Sequence, residues 1–290
     1  GGTAQALGLL EAGVAACPAH TGLRTKLGFA LIRMAERQSV ARGVAVLERG
    51  LSTGLWRQPW QYPPRFLEHD SGHASHDRSR FECILKPLEA AAEAMKREAV
   101  AAFVKGSFMQ QREGLALPLN GWSEADILSV MNSGANVSFE ATRDALRATA
   151  AATSRLQITG AAFSAILPGT RLLPHCGPTN ERLIVHVGLS VPQPGQARLR
   201  LGGPPRVVQQ LLMEGTRASG EALSLSTNPI ELTWREGEAF VFDDSFAHEV
   251  EFEATGETGA GKGRPRIILL LTIRNPDLEP GAGPLCEVEL

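Results

Sequence analysis

The residues best suited to chemistry are two histidines in unusual company. His175 lies in the run Leu173-Pro-His-Cys-Gly-Pro-Thr-Asn180, and His248 in Val241-Phe-Asp-Asp-Ser-Phe-Ala-His-Glu-Val250. His186 and Arg266 stand on neighbouring stretches that read as strands. Imidazole nitrogens are good iron ligands, and the planar fork of an arginine holds a carboxylate through two parallel hydrogen bonds. Together they outline an oxygen-activating iron site. Most such sites complete two histidines with an acid two residues after the first; here that position is Gly177.

Taken singly, each residue also has a plainer reading. A strand histidine is more often a hydrogen-bonded core residue than a ligand. An arginine is more often a surface ion pair, Asp243-Asp244 a solvated turn, and Gly177-Pro178 simply a turn. The combination says more, because each supplies a different part of one mechanism. Strand side chains alternate faces, so Arg182, Ile184 and His186 share one face, and Arg266 leads a face continued by Ile268 and Leu270. A second histidine group, His69, His73 and His76, has spacing that suits one helix face and a metal, but Asp70, Ser71, Gly72 and Ser75 suit a loop better.

The elements that must position these residues change in kind along the chain. Residues 3–51 read as helices, with apolar positions three or four apart, a turn at Pro18–Gly22 and a third amphipathic stretch from Val40 to Leu47. The helical pairs are similar in kind to tetratricopeptide repeats, although no second full copy is present; a helical cap on the main domain is the alternative. The Trp-, Pro- and Tyr-rich run from Trp56 to Phe66 forbids regular helix and reads as a linker lying on the next domain. One helix is expected over 84–104 with Pro87 in its first turn, and another over 123–150 with Ser123 as N-cap. After Gln157 the pattern turns to strands: Ala162–Leu167, Leu183–Val191, Ala197–Leu201, Ile230–Trp234, Ala239–Phe242, Glu249–Glu253 and Arg266–Arg274. Residues 202–228 interrupt them as an insertion. The expected class is α+β: a β-sandwich or barrel, of which the jelly roll is one form, with packed helices.

Composition narrows the functions. A net charge of −2 over 290 residues gives no push toward nucleic acid or acidic membranes. The cysteines, Cys17, Cys83, Cys176 and Cys286, form no C-x-x-C pair, which argues against a zinc ribbon or a dense disulfide scaffold and leaves one or two distant bridges open. No apolar run has the length of a membrane span, and no signal peptide is visible. The chain begins at Gly1, as expected of a fragment whose anchor or targeting segment would lie outside it. The compartment stays open.

The motifs resemble those of the aspartyl/asparaginyl β-hydroxylases. The residues that carry the likeness are Pro168-Gly-Thr170, Pro174-His-Cys-Gly-Pro-Thr-Asn-Glu-Arg-Leu183, His186 and Phe242-Asp-Asp-Ser-Phe-Ala-His-Glu-Val250. The likeness is specific over about 160–278 and looser over 56–159. It implies a double-stranded β-helix (jelly-roll, cupin-like) core dependent on iron(II) and 2-oxoglutarate. It divides the chain into a helical, TPR-like region at 1–55 and an oxygenase domain at 56–290, with a helical lead-in over 56–157, the core over 158–278 and a tail over 279–290. It makes His175 and His248 the iron ligands. Arg266, helped by Ser164, would hold the distal carboxylate of 2-oxoglutarate, with His186 and Arg182 also in the cosubstrate site. Asp244 would hold a water in the third ligand position. The implied reaction is hydroxylation of the β-carbon of Asp or Asn in a protein or peptide, such as an EGF-like domain.

Three departures stand out: Ile184 replaces a second arginine of the family, 202–228 lengthens the stretch between the two histidines, and residues 131–157 carry no cysteine, so no disulfide-bearing lid is expected. The rivals are a halogenase with a halide in the third position, an oxygenase of small molecules or lipids, and a jelly roll that binds without turnover.

Overall fold

A computed structural model of the chain describes residues 2–68, 72–111, 114–128, 139–192, 195–213, 227–254, 263–278 and 285–286. Three helices come first: α1 (Gly2–Ala16), α2 (Thr21–Arg33) and α3 (Arg37–Ser52). His20 caps α2, its Nδ1 accepting from the Leu23 amide at 3.3 Å. The α2–α3 crossing is close because glycines face each other: a Cβ on Gly43 would meet the Gly28 carbonyl oxygen at 2.6 Å. Phe29 and Ile32 of α2 and Val40, Val44 and Leu47 of α3 join a buried cluster with Trp56, Trp60 and Tyr62. The Trp-rich run lies on the strand-forming part of the chain, as expected. Backbone amides tie it down, from Ala247 to the Trp60 carbonyl at 2.5 Å and from Arg65 to the Pro178 carbonyl at 3.0 Å. Both anchor points adjoin the histidine runs.

The strands are β1 (Met109–Gln110), β2 (Ala116–Leu117), β3 (Trp122–Asp126), β4 (Ile158–Ile166), β5 (Arg171–His175), β6 (Arg182–Ser190), β7 (Ala197–Leu201), β8 (Ile230–Thr233), β9 (Ala239–Phe242), β10 (His248–Phe252) and β11 (Arg266–Arg274). They form two antiparallel sheets, ordered β1-β3-β4-β11-β6-β9 and β2-β5-β10-β7-β8. From β4 onward the chain passes back and forth between the sheets, except that β7 and β8 are paired neighbours in one sheet, so β4, β11, β6 and β9 face β5, β10, β7 and β8 in the manner of a jelly roll. β6 and β11 are largely buried on both faces, because both faces are covered. Val185, Val187, Leu269 and Leu271 point outward to helices α4 (Glu82–Ala90), α5 (Ala92–Val104) and α6 (Glu140–Ala151). Ile184 and Ile268 point inward to Leu199, Trp234 and Val250.

Several expectations need correction. Trp122–Asp126 is a strand, paired with β1 and β4, so Ser123 is not a helix cap; of the expected 123–150 helix, Glu140–Ala151 and residues 127–128 are helical, and 129–138 lie outside the described residues. The acids read as first-turn charges, Glu124 and Asp126, lie two residues apart on one face of a strand instead. The 84–104 helix is two helices broken at Ala91, with Pro87 inside the first. β5, which carries His175, has no counterpart in the expected strands. Its Pro174 sits where the pairing with β10 is irregular, between His248 and Val250, and so interrupts no regular ladder. Residues His73 and His76 lie in non-helical chain, with the Ser75–Phe242 bridge fastening the segment to β9, while His69 lies outside the described residues. The insertion begins with a helical turn at Arg206–Val208 and a π turn at Gln209–Met213, whose Val208 and Leu212 join the α2–α3 cluster; 214–226 lie outside the described residues. The cysteine question closes on one long bridge, Cys83–Cys286.

Candidate active site

His175 ends β5 and His248 begins β10, and the two are direct partners in the antiparallel register. Their ring centroids are 4.2 Å apart. Each Nδ1 meets a backbone carbonyl two residues upstream: His175 that of Leu173 at 2.7 Å, His248 that of Phe246 at 2.8 Å. A carbonyl only accepts, so each Nδ1 carries the proton and each Nε2 keeps its lone pair. Burial, followed by the neighbouring His248, pushes the His175 pKa down to about 3, and burial pushes His248 down to about 4. Both rings are therefore neutral and ligand-ready at ordinary pH.

The position of the absent acid is filled from elsewhere. A Cβ on Gly177 would lie 2.2 Å from Oδ2 of Asp244, so the glycine makes room for that carboxylate. The Gly177 amide also donates to the Asp244 carbonyl at 2.6 Å. Arg182 holds Asp244 through both carboxylate oxygens, from Nε at 3.2 Å and from a closer Nη2. Among the described residues no group of three His, Cys, Asp or Glu side chains is placed to hold a metal.

Arg266 opens β11 and is 2 % exposed. Its guanidinium lies 4.4 Å from the Trp234 ring, and its Nε has no hydrogen-bond acceptor among the described residues. Burial lowers its pKa to about 9, opposed by the charge of Glu124. Ser164 on β4 accepts from Trp122 Nε1 at 3.1 Å, which leaves its own hydrogen to donate. His186 is buried on β6, where Trp234 Nε1 donates to its Nδ1 at 3.3 Å; the ring's remaining hydrogen therefore lies on Nε2. Burial, then Arg266, pushes its pKa well below the usual range, so it stays neutral.

A cavity of about 620 Å³ brings together all seven residues singled out in the sequence: Ser164, His175, Arg182, His186, Asp244, His248 and Arg266. It also gathers residues that sequence reasoning passed over. Trp122, Glu124 and Trp234 line the end that holds Arg266, and Thr25, Lys26, Phe29 and Arg33 of α2 line another wall. Alternation along 122–126 would have exposed the first two, had the segment been read as a strand. Nothing local marks the α2 residues; Arg33 reaches the site only because the helix packs there, its Nη1 donating to the Pro174 carbonyl at 3.3 Å.

Residues 80–211 and 218–276 match the sequence profile of a family described as Aspartyl/Asparaginyl beta-hydroxylase. The aspartyl/asparaginyl beta-hydroxylase of Mus musculus is 31% identical over 118 residues, 41% of this chain and 11% of that protein. Aspartate beta-hydroxylase domain-containing protein 1 of Homo sapiens is 32% identical over 118 residues, 41% of this chain and 22% of that protein. The match thus spans less than a quarter of either relative's length. Among solved structures, a Pseudomonas putida prolyl-4-hydroxylase overlays with a TM-score of 0.39 and 14% identity, covering 64% of this chain and 87% of that one.

Proposed function

The chain belongs to the aspartyl/asparaginyl β-hydroxylase family, and on that premise we propose that it is an iron(II)- and 2-oxoglutarate-dependent dioxygenase that hydroxylates the β-carbon of Asp or Asn in a protein or peptide. The observation that carries this reading is one cavity that holds two adjacent neutral imidazoles and a buried guanidinium whose Nε lacks an acceptor among the described residues. The donor set fits both guests. His175 and His248 would hold iron(II) through Nε2, and Arg266 would hold the distal carboxylate of 2-oxoglutarate. Bound together, these cofactors supply the oxygen activation that no side chain can provide.

The chain's own residues do the rest. The two carbonyl contacts hold the imidazoles in the ligating tautomer. Ser164 and His186 each offer one hydrogen to the cosubstrate's oxygens. Asp244, held in place by Arg182, would accept from a water in the third ligand position. A carboxylate facing that position would disfavour a halide there, which favours hydroxylation over halogenation. The apolar lining, including Ile184, Phe242, Ile268 and Leu270, limits water at the reacting end. We read residues 1–55 as a helical, TPR-like unit and 56–290 as the oxygenase domain. In this reading Lys26 and Arg33 of the helical unit face the substrate entrance, where an EGF-like domain or another Asp/Asn-bearing segment would lie.

The test is a peptide-library mass scan for gain of one oxygen with iron(II), ascorbate and 2-oxoglutarate, with succinate measured alongside. Oxidised Asp or Asn is expected, and its loss in His175→Ala and His248→Ala. Full turnover in either variant would remove the ligand assignment. Succinate without oxidised peptide, or chloride incorporation, would redirect the substrate class.

A further inference from the structure

One acid in the cavity has no part in iron or cosubstrate binding as proposed. Glu124 stands on β3 directly opposite Ser164 on β4, and Ser164 is in turn opposite Ile268 on β11. The adjacent row on the same sheet face runs Trp122, Ile166, Arg266. Glu124, Ser164, Trp122 and Arg266 thus converge on one end of the cavity, and all four line it. One Glu124 carboxylate oxygen, Oε1, is buried. The other charged residues in the lining are Lys26, Arg33, Arg182 and Asp244. The last two are paired with each other, and Lys26 and Arg33 belong to the α2 wall. At the acid-binding end the neighbours Ser164, Trp122, Trp234 and His186 are uncharged, so Glu124 and Arg266 are the opposed charges there.

We propose that Glu124 is a selectivity residue of this pocket: its carboxylate competes with the distal carboxylate of the bound 2-oxo acid for Arg266, and so sets how strongly the site favours a dicarboxylic over a monocarboxylic 2-oxo acid. The proposal rests on Arg266 being the cosubstrate's carboxylate anchor. Its logic is electrostatic. A buried guanidinium without a counter-charge would pull hard on an incoming carboxylate. With a fixed carboxylate beside it, the same guest gains less attraction and meets a like charge in a medium that screens poorly. The influence of Glu124 on Arg266, which counters the effect of burial on the guanidinium, is in keeping with this.

The experiment measures binding, not turnover. The purified chain is loaded with manganese(II) in the absence of oxygen and titrated calorimetrically with 2-oxoglutarate and with 2-oxobutyrate, which lacks the distal carboxylate. Glu124→Gln, which keeps the shape and removes the charge, is expected to bind 2-oxoglutarate roughly ten-fold or more tightly than the native chain. Its affinity for 2-oxobutyrate should hardly move. Glu124→Ala should shift the ratio the same way, and unchanged 2-oxobutyrate binding certifies that either variant is folded. Unchanged or weaker 2-oxoglutarate binding, or an equal change for both acids, overturns the role of Glu124 while leaving the acid pocket standing, provided Arg266→Ala still loses 2-oxoglutarate. Absence of 2-oxoglutarate binding to the native chain and to Glu124→Gln alike overturns the cosubstrate reading and this proposal with it.

Discussion

Two surfaces of the jelly roll are rich in arginine, and they put it to opposite uses. On the exposed face of the smaller sheet, Arg171, Arg198, Arg200 and Arg206 interleave with Glu231, Glu249 and Glu251, each arginine within 4.0 Å of a carboxylate. The register produces this: Glu249 is paired with Arg200 and Glu251 with Arg198 across β10 and β7. The residual space there is about 20 Å³, no room for a guest. Inside the barrel, Arg266 is more deeply buried and faces a cavity of about 620 Å³, where the carboxylate of Glu124 lines the same space. The contrast teaches that an arginine's role depends on how much acid and how much open space the fold places around it. Where glutamates interleave with the arginines and fill the space the charge is structural, and where one carboxylate and an open cavity face it there is room for a guest.

That comparison can be sharpened by acid titration, which should give the largest effect. His175, His186 and His248 are held neutral, with folded pKa values below the ordinary 6.5. Below that pH the unfolded chain binds protons that the folded chain refuses, so stability is complete above about 6.5 and falls as the pH drops toward 4 and then 3. The loss in the metal-free protein should be on the order of several kcal/mol. Denaturant melts from pH 7 to 4 check this, and a flat profile would mean the histidines are not kept neutral. Next comes Arg266→Ala, expected to weaken 2-oxoglutarate binding by about 1.5–3 kcal/mol without lowering thermal stability, since the lost charge was buried. Retained affinity would place the acid site elsewhere.

Gly177→Ala tests the packing between glycine and acid. Its Cβ would displace the Asp244 carboxylate from Arg182, with a stability loss of about 1–3 kcal/mol from overpacking and weaker metal binding by calorimetry. An unaffected melting curve would show that the loop yields freely. The smallest effect belongs to the outer lattice, where Arg198→Ala should cost no more than about 1 kcal/mol and leave 2-oxoglutarate affinity unchanged. A binding defect in that variant would erase the distinction between the two surfaces.

Much of the jelly roll is visible in the sequence, because β6, β7, β9 and β11 combine apolar runs with turn signals at their ends. β3 and β5 escape for different reasons. The acids of Trp122–Asp126 mimic the opening turn of a helix until β4 is known to lie alongside, and pairing between distant strands outweighs local preference. Pro174 reads as a strand breaker and is tolerated only because the ladder is irregular there. The candidate site divides along the same line. His175, His248 and Arg266 carry their chemistry in their residue types. Glu124 and Trp122 become site residues only once 122–126 is a strand, and Arg33 only once α2 has docked. The place of Asp244 against Gly177 is a fact of packing between two loops that no spacing could disclose.

The Cys83–Cys286 bridge spans 203 positions, and all eleven strands described lie between its ends. The barrel is therefore the interior of a covalent ring. Closing a ring of that size removes freedom chiefly from the unfolded chain, roughly 5 kcal/mol or slightly more in the chain-entropy picture. It also changes what a cut means: a protease that opens one surface loop between the cysteines turns the ring into a line and releases no fragment. On a non-reducing gel such a nicked molecule would still migrate as one species, and only a reductant would show the break.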